Sequence, residues 1–183
     1  KGYADVLEWF LTPQRVGYYL ALRVVRAVVV PMVRLVLGIV LKWVLIGRFT
    51  AGKRSRSAYE KWKHWVMPRI LPPADLHEAC SLMGVHYGGV SFVLRMLGAQ
   101  VGKRIYWPGS GFQGLNEYDL LSVGDDVIFG SRSVIMCCDA IDAAPISIHA
   151  GANIADRCVL LPGCTVERNT VLGSGGLAAK GER

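Results

Sequence analysis

A six-residue repeat in the last third of the chain constrains the fold more than any other feature. From residue 148 onward every sixth position carries a large aliphatic side chain, and the position four residues later carries a small one. The large positions are Ile148, Ile154, Leu160, Val166 and Leu172, and the small ones are Ala152, Cys158, Cys164, Thr170 and Gly176. An amphipathic helix needs an apolar period of about 3.6 residues and a β-meander alternates every two, so neither explains the pattern.

The pattern predicts a left-handed parallel β-helix, in which three six-residue strands complete one triangular coil. Residues eighteen apart then stack, which puts Ile148 under Val166 and Ile154 under Leu172. The large side chains fill the axis of the coil and the small ones point inward beside them. A continuous core forms only when neighbouring coils stack. Residues 107–121 and 137–145 break the register and are predicted to be loops that leave the coil.

The region before the repeats is apolar and basic, which predicts α-helical membrane-associated segments ahead of a mainly β domain. The expected organisation is a short helix or linker at 1–15, an apolar membrane helix or helices at 16–47, a basic juxtamembrane helical linker at 48–96, and the β-helix at 97–183. Hydrophobic residues make up 52% of the chain, more than in an average soluble domain.

Basic residues interrupt the apolar segment at intervals. On an ideal helix Arg23, Arg26 and Arg34 fall within about 80° of one another, and Lys42 lies about 80° beyond Arg34. Two arrangements fit this stripe: a helix that spans the bilayer with its basic stripe toward other helices or water, and a helix that lies in the interface. A buried helix of a soluble domain fits poorly, because three arginines on one face are difficult to bury.

A basic cluster follows the apolar segment and contributes to the net charge of +7. The adjacent apolar run favours an anionic membrane surface over nucleic acid as its partner. By the positive-inside rule the cluster also places the β-helix on the cytoplasmic side. The members of the cluster are Arg48, Lys53, Arg54, Arg56, Lys61 and Lys63.

The hexads 160–166 (LLPGCTV) and 172–177 (LGSGGL) resemble the bacterial hexapeptide-repeat transferases, most of which move acyl groups from coenzyme A or a carrier protein. A narrower resemblance rests on the apolar basic segment, on 95–105 (RMLGAQVGKRI), on 117–126 (EYDLLSVGDD) and on 177–182 (LAAKGE). These features resemble the membrane-embedded terminal region of nonribosomal-peptide-synthetase-like proteins of the polylysine-synthetase group. In that group an adenylation domain and a carrier (thiolation) domain precede the membrane segments.

The resemblance implies an acyl or aminoacyl donor in the form of a coenzyme A or phosphopantetheine thioester. It also implies a carrier domain upstream in the same protein and a homotrimer. One departure matters: bacterial members carry a histidine in the second loop, whereas residues 136–142 here read MCCDAID. No metal is expected, because the cysteines lack finger spacing and the repeats hold one histidine where a zinc site of this fold would need three.

Acyl transfer needs a base and an oxyanion donor, and the candidate catalytic residues are His149, Asp139 and Glu117. His149 follows the second loop, where a carboxylate such as Asp139 would orient the imidazole; the alternative is an exposed surface histidine. Glu117 is an acidic candidate in the first loop. The resemblance places Ser174 and Lys180 at the pantetheine arm and phosphates, the alternative for Lys180 being a solvated side chain.

The sequence favours structural or surface roles for the other histidines and leaves two adjacent cysteines as weaker nucleophile candidates. His64 and His77 are predicted to be surface or headgroup contacts, and His86 to have a packing or interface role. Cys137 or Cys138 could be a nucleophile in an exposed loop, but no basic residue adjoins them in sequence to lower the thiol pKa. The sequence therefore predicts a membrane-anchored acyltransferase-like module, with a non-catalytic scaffold that docks a carrier domain as the alternative.

Overall fold

The computed structural model describes residues 2–53, 57–84, 88–112, 114–139 and 142–182, apart from the Lys53 side chain. Helices occupy the first half of the chain and short strands the second. The helices are α1 (Tyr3–Phe10), α2 (Pro13–Val24), α3 (Val30–Leu41), α4 (Ala58–Ile70), α5 (Pro73–Leu82) and α6 (Gly88–Met96), with π-helical turns at Val25–Val29 and Lys42–Ile46.

The second half is a parallel β-solenoid of about three turns with three faces. The strands are β1 (Gly52–Lys53), β2 (Gln100–Val101), β3 (Leu121–Val123), β4 (Ile128–Phe129), β5 (Val134–Ile135), β6 (Asp142–Ala143), β7 (Ile146–Ile148), β8 (Asn153–Ile154), β9 (Val159–Leu160), β10 (Thr165–Val166), β11 (Val171–Leu172) and β12 (Leu177–Ala178). One face has the order β2-β3-β7-β10, the second β4-β8-β11 and the third β5-β9-β12.

The strand register confirms the stacking expected from the repeats. Val166 pairs with Ile148 and Leu172 pairs with Ile154, both in parallel. The large positions Ile148, Ile154, Leu160 and Val166 are buried and Leu172 is partly buried, and the small positions Ala152, Cys158 and Cys164 are fully buried beside them. Large and small side chains thus share the interior of each coil, as close packing of a narrow core requires.

The corners of the solenoid repeat with the same spacing as its core. Residues with a left-handed backbone recur every six positions along the last coils: Gly151, Arg157, Gly163, Asn169, Gly175 and Gly181. A second corner constraint is close approach rather than a positive φ. A Cβ added to Gly130 would lie 2.4 Å from the Asp156 backbone nitrogen of the next coil, so this position requires glycine.

Both predicted loops leave the solenoid, and the helical region covers them. The first loop runs from Trp107 to a 3₁₀ turn at Tyr118–Leu120. Trp107 is fully buried, stacks on Phe129 at 5.3 Å between ring centroids, and donates its indole N–H to Ser91 Oγ at 2.9 Å. The second loop contains β6, which pairs in antiparallel register with β1 from the segment after the long helix.

The first half contains one continuous helical segment, Pro13–Ile46, which is long and apolar enough to cross a membrane. It has 34 residues and a mean hydropathy of 2.3 over its most apolar window. One face of α3 packs on α5 and on the residues just before it: a Cβ added to Gly38 would meet Leu71 Cδ1 at 3.0 Å. The opposite face of α3 is exposed and apolar, with Val36 and Leu37 among its residues.

The basic residues of this segment do not share one exposed stripe. Arg23 and Arg34 are exposed, but Lys42 is fully buried. The two π-turns change the angle per residue, so an ideal helical wheel does not carry across them. The predicted helical linker at 48–96 contains three separate helices, α4, α5 and α6. Arg54, Arg56 and His86, which the sequence analysis singled out, lie outside the described residues.

A buried ion pair joins the end of the long helix to the first loop. Lys42 Nζ lies 2.9 Å from Asp119 Oδ2 and donates to Oδ1 at 3.0 Å. Asp119 Oδ2 also accepts the Phe49 backbone N–H at 3.2 Å. Gly98 allows this approach, because a Cβ there would lie 2.2 Å from Asp119 Oδ1. The pair is satisfied on both sides, which is the condition for burying charge without a large penalty.

Truncating a core position of the solenoid tests the stacking. Ile154→Ala is expected to lower the free energy of unfolding by about 2–5 kcal/mol, because Ile154 is fully buried between coils. Urea unfolding of the full chain in detergent measures it. Val171→Ala, at a side chain that is 67% exposed, is the matched control and should change stability little. Equal losses in the two variants would contradict the assigned core.

Removing one partner of the Lys42–Asp119 pair tests its role. Lys42→Ala is expected to cost about 3–5 kcal/mol, because it leaves a buried carboxylate without a counter-charge. Lys42→Met combined with Asp119→Asn should cost less, since no charge remains and Asn can still accept the Phe49 N–H. Arg34→Ala, which removes an exposed pair with Asp75, is the control and should stay within about 1 kcal/mol. A double variant no more stable than Lys42→Ala would refute this account.

Candidate active site

Three chemically reactive side chains meet where helix α4 and the two solenoid loops come together. His64 comes from the middle of α4, Glu117 immediately precedes the 3₁₀ turn of the first loop, and Cys138 lies in the second loop. One ligand atom from each lies within 4.8 Å of the others. We refer to these residues as the His64–Glu117–Cys138 cluster.

The strongest contact in the cluster is between His64 and Glu117. His64 Nδ1 and Glu117 Oε1 are 2.6 Å apart, and the two side chains are only 3% and 5% exposed. The Phe49 ring packs against the imidazole, with centroids 5.2 Å apart. Glu117 Oε2 is buried and has no hydrogen-bond partner among the described residues. The carboxylate therefore holds the imidazole with one oxygen and leaves the other unused.

His64 is hydrogen-bonded to Glu117, and Cys138 lies close by in the same cluster. Burial by itself would lower the pKa of His64, but its interactions with Cys138 and Glu117 outweigh burial and raise the pKa to about 9. The imidazole is consequently protonated at neutral pH. The buried Glu117 carboxylate is its counter-charge. When the imidazole is neutral, the pair resembles the base and orienting group of a nucleophilic triad.

Cys138 is the reachable thiol of the vicinal pair. It is partly exposed, and its Sγ donates to the Asp139 carbonyl oxygen at 3.2 Å. Cys137 is fully buried in the solenoid core, and that burial raises the pKa of its thiol. Since the thiolate is the nucleophilic form and Cys137 cannot reach solvent, only Cys138 has both access and a basic partner.

Helix α4 places His64 in the cluster through its capping and its inward face. The Ser57 side chain caps the helix by accepting the Tyr59 backbone N–H at 3.2 Å. Lys63, His64 and Met67 are the buried residues of the helix. The buried Lys63 ammonium group has two hydrogen-bond partners: Nζ donates to Glu60 Oε1 at 3.0 Å and to the Arg48 carbonyl oxygen at 3.1 Å.

A second polar group holds the loop that carries Cys138. Lys180, in the turn after β12, donates to Asp139 Oδ2 at 3.1 Å and to Asp142 Oδ2 at 2.5 Å. Asp139 Oδ1 accepts the Asp142 backbone N–H at 2.7 Å. Thus Asp139 and Lys180, predicted as a catalytic and a substrate-binding residue, are in contact with each other and connect the last coil to the second loop.

The other predicted site residues lie apart from the cluster. His149 is exposed and lines a groove of about 610 Å³ on the β2-β3-β7-β10 face, together with Gln100, Ser122 and Glu167. No residue of the cluster lines this groove. Ser174 is exposed in the turn between β11 and β12. Of the residues predicted to act together, Glu117 alone belongs to the His64–Glu117–Cys138 cluster.

The sequence does not reveal that His64 and Glu117 lie next to Cys138. The prediction of His64 as a surface or headgroup contact is wrong, because its side chain is buried. His77 is half-buried beside Gly111, where a Cβ would lie 2.8 Å from His77 Nδ1. No basic residue adjoins Cys138 along the chain; the imidazole reaches it from α4. The available signal was the inward spacing of His64 and Met67 on a capped helix, which indicates burial but gives no partner.

The cluster offers an imidazole nitrogen, a carboxylate oxygen and a thiol sulfur, which together are ligands suited to a borderline-soft divalent metal. Comparison of the chain with family models, curated proteins and solved structures finds no match. The chemistry of the described side chains is therefore the basis for assigning a function.

The raised pKa of His64 predicts a pH-dependent stability. The group binds its proton more tightly when folded (about 9) than when unfolded (6.5), so its stabilising effect is complete below pH 6.5 and is lost as the pH rises through about 9. The unfolding midpoint should fall across that window, as followed by thermal unfolding at several pH values. In His64→Gln the decline should be shallower. An identical pH profile in the variant would contradict the assignment.

Proposed function

We propose that this chain is a membrane-associated, acyltransferase-like module in which Cys138 accepts an acyl or aminoacyl group from a thioester donor. The observation that carries the proposal is a partly exposed thiol whose sulfur lies within 4.8 Å of an imidazole that is itself hydrogen-bonded to a buried carboxylate. A nucleophile beside a base that a third group orients is the signature of covalent catalysis.

The first half-reaction moves the acyl group onto Cys138. The step starts from the neutral form of His64, whose share of the population grows as the pH approaches about 9. The neutral imidazole accepts the thiol proton, and the Cys138 thiolate attacks the carbonyl carbon of the donor thioester. A new carbon–sulfur bond forms, and the bond to the pantetheine sulfur breaks. The departing thiolate takes the proton from the His64 imidazolium, so no charge is left unbalanced.

The second half-reaction releases the acyl group to an amine or hydroxyl acceptor. The acceptor attacks the Cys138 thioester while His64 removes its proton. Cys138 then leaves as the thiolate and takes that proton from the His64 imidazolium. Glu117 orients the imidazole through Oε1 and stabilises its positive charge in both steps. The Lys180 contacts to Asp139 and Asp142 suggest that Lys180 positions the loop of Cys138, rather than the donor.

The donor is inferred to be a coenzyme A or phosphopantetheine thioester, delivered in the second case by a carrier domain. This rests on the resemblance to hexapeptide-repeat transferases and on the solenoid geometry. Residues with positive φ recur at every sixth position, and parallel strand pairs join residues eighteen apart. Both observations support a left-handed hexapeptide β-helix as the finer fold assignment. A homotrimer is the assembly expected for that fold, and a metal is not needed for either half-reaction.

The membrane part of the proposal rests on the Pro13–Ile46 helix and its exposed apolar side chains. Lipid is the proposed partner of that surface. The basic residues that follow, such as Arg48 and Lys61, favour the cytoplasmic side for the solenoid and an anionic lipid surface over nucleic acid.

The second candidate is a non-catalytic scaffold that docks a carrier domain. The low exposure of His64 and Glu117 favours it, because a buried ion pair can serve solely to attach α4 to the first loop. The two candidates differ in one measurable property: only the catalytic module forms a covalent acyl adduct on Cys138.

Acyl capture tests the proposal. The full chain in detergent is incubated with a radiolabelled acyl-pantetheine thioester, and the protein-bound label is measured before and after neutral hydroxylamine, which cleaves thioesters. We expect a hydroxylamine-labile label that Cys138→Ala abolishes. His64→Gln should slow labelling by about 10²-fold or more, because it removes the group that moves the proton.

Two controls separate the alternatives. Cys137→Ala removes the neighbouring, fully buried thiol and should leave labelling intact. His149→Ala should also leave it intact, since His149 lines a different surface. Labelling that survives Cys138→Ala refutes the proposed nucleophile. Loss of labelling in His149→Ala alone would instead make His149 the base, and no label in any form would favour the scaffold.

A further inference from the structure

We infer that the His64–Glu117–Cys138 cluster is also a zinc-binding site, at which Zn²⁺ blocks the thiol and clamps helix α4 to the two loops of the solenoid. The binding site stands on geometry alone, whereas its inhibitory effect rests on the proposed function. The bound ion is expected to be a divalent cation of borderline softness. Imidazole, carboxylate and thiolate together suit zinc and do not suit calcium or magnesium, which prefer oxygen.

The cluster contains one potential metal-binding atom that makes no hydrogen bond to the described residues. Glu117 is 4% exposed, yet its Oε2 has no hydrogen-bond partner among the described residues. A buried carboxylate oxygen without a hydrogen-bond partner is costly, and a bound cation would remove that cost. Oε2 belongs to the same carboxylate whose Oε1 contacts His64, so a cation bound there lies next to the imidazole.

The spacing of the donors requires only a small adjustment. Zinc binds nitrogen and oxygen at about 2.0–2.2 Å and sulfur at about 2.3 Å in a tetrahedron, so its ligand atoms lie roughly 3.3–3.8 Å apart. The three ligand atoms here are within 4.8 Å of one another. A shift of about 1 Å closes the set, and Cys138, on a partly exposed loop, can supply much of it. Three protein ligands leave the fourth position to water.

The elements that supply the ligands show what zinc would do. One ligand comes from α4, one from the first loop and one from the second, so a bound ion would connect three segments distant in sequence. Zinc binds cysteine as the thiolate and histidine as the neutral imidazole, so its binding releases protons. Because the proposed nucleophile and base are then both ligands, zinc-loaded protein cannot perform either half-reaction.

Zinc titration of the full chain in detergent, followed by isothermal calorimetry in two buffers of different ionisation enthalpy, tests the site directly. One Zn²⁺ per chain should bind, with proton release. Glu117→Gln, His64→Gln and Cys138→Ser should each weaken zinc affinity by about tenfold or more. Cys137→Ala and His149→Ala are matched controls and should bind zinc as the parent does.

Cobalt substitution guards against variants that fold poorly. Co²⁺ bound to the parent should show a thiolate-to-cobalt charge-transfer band, and Cys138→Ser should lose that band. Absence of one-to-one zinc binding, or a charge-transfer band that persists in Cys138→Ser, overturns the inference while leaving acyl capture by Cys138 untouched. Zinc binding without any acyl adduct would establish the metal site and refute the proposed acyltransferase instead.

Discussion

The interior of a triangular coil is narrow, and this limit governs the whole solenoid. Each face contributes a large side chain such as Ile148 or Ile154 to the axis, with a small one such as Ala152 or Cys158 beside it. Parallel pairing then stacks like on like from coil to coil. Because the core is built from stacked neighbours, a loop can leave between two strands without disturbing the coils above and below.

The two loops use that freedom to form the contact with the helical half. Glu117 and Asp119 lie in the same short stretch of the first loop, and each meets a basic residue from a different helical element. Lys42 lies in the last π-helical turn of the long apolar helix, and His64 belongs to α4. Buried ion pairs specify geometry because every misalignment leaves a charge without a partner. The junction between helices and solenoid is therefore defined by polar contacts as well as by apolar packing.

That junction also shapes the reactive thiol. Two contacts restrain the loop of Cys138: Lys180 donates a hydrogen bond to Asp139, and β6 of the loop pairs with β1. His64 lies close to the Cys138 sulfur. The result is a partly exposed sulfur on a loop that is held in place. A site of this kind fits the proposed acyl transfer, in which a thiol must meet a bulky thioester while its base stays shielded from water. The same enclosure produces the cation-binding geometry.

The sequence by itself determined the solenoid, its eighteen-residue register and the two loops, because the six-residue spacing is a local pattern that one geometry satisfies. It also indicated an apolar helical region near the N-terminus. Only the tertiary structure decided the site. His64 and Cys138 carry no sign of each other in sequence. Asp139, predicted to orient His149, instead contacts Lys180, and Glu117, a separate acidic candidate, contacts His64. A repeat records which residues face the axis, whereas the meeting of α4 with two loops depends on how the two halves pack.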